Sequence, residues 1–276
     1  SGEECRGQNT ATADGGATAG GKRQVGRALW RGEPADTRVV WGERVAEARR
    51  LGFVPAGRSQ SAAGTSLSAT MINCFVQPVG DSIAHDEDGH PGIYTALTEA
   101  AETMRRGGCV GYDFSRIRPR GAWVGSTQSS ASGPVSYMRV FDHSCETVES
   151  AGARRGAQMG VLRCDHPDLE EFIQAKDQGD LRNCNISVGV TDAFMQAVVD
   201  DGEWELKAVT TGEVVETVKA RHLFRQFAEA TWECADPGLQ YDSAITRWHP
   251  ASTTAPHPGP TPCRRSRPHR QPPHPP

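Results

Sequence analysis

The strongest constraint on the fold of this chain is an alternation of short apolar runs with amphipathic stretches from residue 71 to residue 234. Apolar runs at 71–76, 109–114, 158–164 and 186–190 have the length of buried strands. Helical patterns lie between them. The clearest is Ile93-Tyr-Thr-Ala-Leu-Thr-Glu-Ala-Ala-Glu-Thr-Met-Arg-Arg106, with Ile93, Leu97, Ala100 and Met104 on one face and Gly107-Gly108 as its stop. Ser132-Gly-Pro134 opens a second, carrying Val135, Met138, Phe141, Cys145 and Val148. A short third covers 166–176, and Thr191 caps a fourth that runs to Val199. Residues 201–218 suit a β-hairpin or an extended insertion. Residues 221–234 are amphipathic, with Leu223, Phe224, Phe227 and Ala230 facing in and Asp236-Pro-Gly238 as the end. The expectation is an α/β fold with a largely parallel sheet. No GxGxxG follows the first strand and no GxxxxGK[ST] occurs, so an ordinary dinucleotide fold or P-loop is not supported. A barrel is preferred to an open sheet.

The 276 residues allow one large domain or two small ones. Only 37% are hydrophobic, and the low share traces to the two ends. Residues 1–22, rich in Gly, Ala and Thr, read as a disordered arm, and 23–248 as the globular domain. Residues 249–276 hold ten prolines, four arginines and no acid, and read as a disordered tail. Within the domain, Val39, Val40, Val45, Ala48 and Leu51 share a helix face that ends at Gly52. Residues 53–58 read as an extended turn. Residues 59–70 are mostly small and would let a backbone approach a ligand closely.

A net charge of −4 with mixed signs argues against a general nucleic-acid or membrane-surface binder. No run approaches the roughly 18 apolar residues of a membrane span, and none suggests a signal peptide. None of the eight cysteines makes a CxxC pair, and His143 and His166 lack metal-ligand spacing, so no metal site is expected. The expected compartment is a reducing cytoplasm.

Candidate chemistry centres on Met71-Ile-Asn-Cys-Phe-Val-Gln-Pro-Val-Gly-Asp-Ser-Ile83. Cys74 reads either as a core cysteine or as a redox thiol beside a nucleotide pocket. Asp81-Ser82 is a loop entry or helix cap, or a pair that accepts hydrogen bonds from a ribose. Arg116, Arg118 and Arg120 are a solvated basic loop, or forks for phosphate. Arg154-Arg155, between Gly152 and Gly156, would suit a ligand-sensing turn. Asn183-Cys-Asn-Ile-Ser187 reads as polar groups at a strand start, with ordinary loop hydrogen bonding. Together these features suggest a nucleotide-handling α/β enzyme.

Several collinear motifs resemble the catalytic chain of ribonucleotide reductase, closest to its adenosylcobalamin-dependent class II. They are Gly52-Phe-Val-Pro-Ala-Gly-Arg58, Ser61-Ala-Ala-Gly-Thr65, Ile72-Asn-Cys-Phe-Val-Gln-Pro-Val-Gly-Asp-Ser-Ile83 and Gly111-Tyr-Asp-Phe-Ser-Arg-Ile-Arg-Pro119. Ser132-Gly-Pro-Val-Ser-Tyr-Met138, Arg154-Arg-Gly-Ala-Gln-Met-Gly160 and Asp165-His-Pro-Asp-Leu-Glu-Glu-Phe-Ile173 continue the series. Asn185-Ile-Ser-Val-Gly-Val-Thr-Asp-Ala-Phe-Met195 and Glu233-Cys-Ala-Asp-Pro-Gly238 complete it. The resemblance implies the first half of a ten-stranded α/β barrel. It implies replacement of a ribose 2′-hydroxyl by hydrogen through a cysteine thiyl, with a cysteine pair as reductant.

By position, Cys74 matches one member of that reducing pair, and Ser59 and Asn73 match residues near the substrate. Asp81, Ser82, Arg116 and Arg118 match the site of a deoxynucleoside triphosphate effector. Arg154, Arg155, Gly156 and Gln158 fall in a specificity loop. The resemblance further implies adenosylcobalamin, a ribonucleotide substrate and a thioredoxin-like reductant. The helices flanking the effector loops could form a homodimer face. Alternatives are an effector-binding fragment without catalysis, or a class I chain served by a separate radical-generating subunit.

The resemblance breaks after Trp248. Where the family carries Asn-Pro-Cys-x-Glu, this chain has Thr261-Pro-Cys-Arg-Arg265. Cys263 keeps the spacing of the thiyl cysteine, but an arginine in the place of the general base cannot accept a proton at neutral pH. The second reducing cysteine is not matched. A shifted reading frame or truncated gene, and a chain inactive by itself, are the expectation.

Overall fold

The computed structural model describes residues 35–54, 56–62, 66, 68–148, 157–176 and 179–249. The arm at 1–22, and the tail at 249–276 except His249, lie outside the described residues, as do Cys263, Arg154, Arg155 and Gly156. The chain divides into two compact units, one ending at Asn73 and the other beginning at Cys74. No helix among the described residues is long and apolar enough to cross a membrane.

In the first unit, helix α1 (Ala35–Arg50) is followed by a short α2 (Gly57–Ala62). Gly52, with φ +102°, ends α1 as the glycine pattern requires. Gly52 N donates to Arg49 O and Phe53 N to Ala48 O, the paired bonds of a left-handed helix terminus. Helix α2 takes in Gly57 and Arg58, which the sequence assigns to an extended turn, and the first of the small residues after them.

The second unit is built on five parallel strands in the spatial order β1 (Cys74–Pro78), β2 (Cys109–Asp113), β5 (Gln158–Arg163), β6 (Cys184–Val190) and β9 (Gly238–Tyr241). Spatial order equals chain order, so each strand is laid beside the one before it. That is how a barrel is wound, whereas a doubly wound sheet reverses direction. The α/β expectation holds. The crossovers carry α3 (Ile93–Arg105), α4 (Pro134–Thr147), α5 (Leu169–Gln174), α6 (Asp192–Val199) and α7 (Ala220–Cys234). Residues 201–218 do form a hairpin, β7 (Glu203–Lys207) with β8 (Val214–Lys219). A tiny second hairpin, β3 (Trp123–Val124) with β4 (Ser129–Ser130), tips the loop after β2. The sequence pattern does not reveal β9 or the short α8 (Asp242–Trp248) after it.

Strand alternation sorts the side chains onto two faces. Gln158 Nε2 donates to Phe141 O of α4, so Gln158 points at the helices. Val110, its partner across β2, shares that face, as do Tyr112, Gly160 and Ile186 by register. Tyr112, Phe114 and Phe141 meet there with ring centroids 4.9–5.4 Å apart. Each such aromatic pair adds about 0.5–1.5 kcal/mol beyond the area it buries. A β-carbon on Gly160 would stand 2.5 Å from Met138 Cε, so glycine there lets α4 approach the sheet.

Two nearly buried polar contacts tie helices to strand starts. Asp142 on α4 accepts from Asn183 N at 2.8 Å just before β6. Lys176 after α5 pairs with Asp236 before β9 at 3.0 Å.

Gly108, before β2, is packed so that a β-carbon would lie 2.7 Å from the Phe75 ring and 2.8 Å from Thr103 Cγ2. Gly108→Ala should lower stability by about 1–3 kcal/mol through overpacking. Gly125→Ala, in open space, should change it by less than about 0.5 kcal/mol. Urea denaturation of both variants checks this.

Candidate functional site

Cys74 is the first residue of β1 and is half-buried. Phe75 turns toward the helices, where its ring lies against Gly108 and Thr103, so Cys74 and Val76 turn to the opposite, far face. The same parity puts Cys109, Met159, Asn185, Ser187 and Gln240 on the far face. Gln240 Nε2 reaches Met159 Sδ at 3.6 Å, in keeping with that assignment. Ser187 Oγ is buried and has no hydrogen-bond partner among the described residues. Three strand spacings separate the columns of Cys74 and Ser187, about 14 Å at about 4.8 Å each.

The second polar group lies at the other end of β1. Four rises of about 3.3 Å set Pro78, the last residue of β1, about 13 Å from Cys74, and Asp81 follows it. Asp81 Oδ1 accepts from Arg118 N at 2.8 Å, and Oδ2 from Arg118 Nε at 2.6 Å. The carboxylate is thus committed to a guanidinium 37 residues away. Among the described residues, the other nitrogens of that fork make no hydrogen bond. Ser82 Oγ accepts from His85 N at 3.2 Å, and Ser82 O accepts from Ile93 N at the start of α3. Arg116 is exposed and lies 4.0 Å from Asp88. Asp81, Ser82, Arg116 and Arg118 are therefore gathered at the carboxyl ends of β1 and β2. The carboxyl edge of parallel strands is where α/β proteins commonly bind ligands.

The loop 115–133 is braced at its root. His166 is buried, and its Nε2 lies 2.9 Å from Ile117 O while its Nδ1 accepts from Asp168 N at 3.0 Å. This pair of bonds fits a neutral ring with the proton on Nε2. Burial pushes the His166 pKa down, against the upward pull of the bond to Ile117. Asp168 Oδ2 accepts from Arg120 N at 2.8 Å, and Arg120 pairs with Glu171 at 2.8 Å. Gly133, with φ +80°, closes the loop where a β-carbon would sit 2.5 Å from Asp168 Oδ2.

The remaining candidates are dispersed. In the first unit, Ser59 Oγ donates to Met71 O at 3.4 Å, and Asn73 Oδ1 is buried with no partner among the described residues. Gln158 is fully buried at the start of β5, its amide held by Phe141. Burial pushes the thiols of Cys164 and Cys184 up to about 12, which keeps them protonated and unreactive. Among the described residues, no group of three or more His, Cys, Asp or Glu could hold a metal ion. Asn185 and Ser187, which the sequence reads as ordinary loop hydrogen-bonding groups at a strand start, instead stand inside β6 on the far face, and Gln240 gives no signal in sequence. The usable signal is in β6, where Asn185, Ser187 and Gly189 alternate with Cys184, Ile186 and Val188.

A parallel sheet wound in chain order, with a half-buried thiol at one lip and an anchored basic loop at the other, defines part of a barrel-type α/β fold. The family described as "Ribonucleotide reductase, barrel domain" matches residues 72–257. This chain belongs to that family. It is 40% identical over 215 residues to a vitamin B12-dependent ribonucleoside-diphosphate reductase of Thermoplasma acidophilum, covering 77% of this chain and 27% of the relative. The protein of that name from Mycobacterium tuberculosis strain CDC 1551 is 40% identical over 221 residues, with 79% and 31% covered. A vitamin B12-dependent ribonucleotide reductase of Streptomyces coelicolor is 40% identical over 225 residues, with 72% and 22% covered. The chain spans less than a third of the length of each of these relatives.

The described residues do not by themselves fit a corrin. Their orphaned buried polar atoms scatter over Arg106, Tyr112, Gln158, Ser187 and Gln226 and, in the first unit, Thr70 and Asn73.

Because His166 is neutral in the fold and titrates near pH 6.5 when unfolded, the unfolded chain binds the extra proton as pH falls. Its contribution is complete above about pH 6.5 and is lost toward the lower folded pKa. Urea midpoints should drop between about pH 7.5 and about pH 5.5, and drop less in His166→Gln.

Proposed function

We propose that this chain carries the part of a vitamin B12-dependent ribonucleotide reductase that holds one reducing thiol and the effector nucleotide. The reaction class is reduction of a ribonucleotide to a deoxyribonucleotide, with electrons drawn from cysteine thiols. Family membership supports the class. The observation that carries the assignment to these residues is the placement of Cys74, half-exposed at the strand lip and turned away from the packed helices. A thiol so placed can meet a ribose, whereas the sulfurs of Cys164 and Cys184 are closed in.

In this reading Cys74 supplies one of the two sulfurs that give up an electron pair, and Ser59 and Asn73 bind substrate. Arg118 and Arg116 bind the phosphates of a deoxynucleoside triphosphate, with Asp81 holding Arg118 in place and Ser82 shaping the turn. Arg154, Arg155, Gly156 and Gln158 belong to the segment that transmits effector identity. The reductant is a thioredoxin-like dithiol and the assembly a homodimer in the cytoplasm. Cobalamin, in its adenosyl form, enters from the relatives and the resemblance, and would supply the radical. Thiol reduction at Cys74 and phosphate binding at Arg118 need no contact with it. Cys263 keeps only the spacing of a thiyl residue, since Arg265 cannot serve as its base. For this chain by itself the proposal is therefore effector binding without turnover.

Equilibrium dialysis against each of the common deoxynucleoside triphosphates tests the binding. Saturable uptake is expected. Arg118→Ala should weaken it at least about tenfold, since a charge-assisted hydrogen bond contributes about 1.5–3 kcal/mol. Absence of saturable binding to any of them rejects the effector site. Deoxyribonucleotide formed by the purified chain with adenosylcobalamin and a dithiol would overturn the inactivity.

A further inference from the structure

We propose that Cys74 and Cys109 are a dithiol that small disulfides of the glutathione class oxidise to a Cys74–Cys109 disulfide. The proposal goes beyond the nucleotide reading and stands or falls independently of it.

Register is the first support. Cys74 and Cys109 are direct partners at the amino ends of the parallel strands β1 and β2. Neighbouring strands lie about 4.8 Å apart, inside the roughly 4.4–6.8 Å of Cα separation that disulfides span. Parity is the second. Phe75 and Val110 both point at the helices, so the two sulfurs leave the sheet on the same far face. Pliability is the third. In the described sheet β1 is a terminal strand, bonded on one side only to β2, so it can yield by the few tenths of an ångström that closure asks.

Exposure sets the order of events. Cys74 is half-buried, whereas Cys109 is 2% exposed. A small disulfide RSSR therefore meets Cys74 first. The Cys74 thiolate attacks one sulfur of RSSR, which breaks the S–S bond, forms Cys74–S–S–R and expels RS⁻, protonated by solvent. The Cys109 thiol then loses its proton to solvent and attacks the Cys74 sulfur, expelling the second RS⁻. Two protein thiols and RSSR become one protein disulfide and two RSH, so an electron pair passes from the protein to the small disulfide. Cys145 stands on α4, on the other side of the sheet, and Cys234 lies on α7 with its sulfur donating to Ala230 O and Asp236 O. While the bond is closed, the Cys74 sulfur is neither nucleophile nor reductant.

The test uses the whole chain in oxidised glutathione, followed by alkylation of remaining thiols, trypsin digestion without reductant and mass spectrometry. The expected product joins the peptides 59–105 and 107–116, lighter by two hydrogens than their sum and separated by a thiol reductant. In Cys109→Ala the same treatment should leave Cys74 carrying a stable glutathionyl group. A wild-type chain in which Cys74 retains the glutathionyl group, stays unmodified, or links to any other cysteine overturns the proposal. The wild-type readout needs no variant to fold.

Discussion

Each strand of the parallel sheet turns its alternate residues toward one helical layer, and the placement of the polar candidates follows from that. Val110, Tyr112, Leu162, Ile186 and Val188 fill the helix side, so Cys74, Asn185 and Ser187 are left to the other. A one-residue slip of β1 against β2 would reverse this and bury Cys74 against α3. The slip is opposed by Phe75, whose ring fits the space that Gly108 leaves open. The fit of a single aromatic ring thus determines which face the sulfur occupies.

The carboxyl edge of the sheet is organised by charge instead of by shape. Asp81 holds Arg118 by main chain and side chain together, and Asp168 holds Arg120 by its main-chain nitrogen. Arg120 reaches Glu171, which also lies 4.0 Å from Arg139, itself 2.8 Å from Asp180. Most of these groups are partly exposed, so each pair is worth little alone. Together they fix where the loop leaves the sheet. His166, by contrast, is a buried neutral brace.

Much of the fold was legible because it is local. The stripe Ile93, Leu97, Ala100, Met104 and the stop at Gly107-Gly108 define α3 within one residue. Gly52 marks the end of α1, and Thr191 caps α6 by accepting from Phe194 N. What escaped depends on partners far away in the chain. The sequence pattern places the first strand at 71–76, but the strand begins at Cys74, where its pairing with Cys109 of β2 begins. Strand β9 has only four residues, Gly-Leu-Gln-Tyr, too few for a pattern, and is defined by its pairing with β6. The short helix expected over 166–176 is trimmed to α5 because His166 turns inward to Ile117. Likewise, the tie between Asp81 and Arg118 spans 37 residues, and no spacing rule reveals it.

The loop 115–133 is long in sequence but short in freedom. Ser115, Ile117, Arg118 and Arg120 are each fastened by a hydrogen bond, and Gly121 and Ala131 close on one another at 2.9 Å. The stretch between them is itself folded back as the β3–β4 hairpin, and loop-closure entropy grows slowly with so short a span. In the proposed reading, an anion at Arg118 would meet a guanidinium that Asp81 already holds in the fold. Such preorganisation spares association most of its ordering entropy.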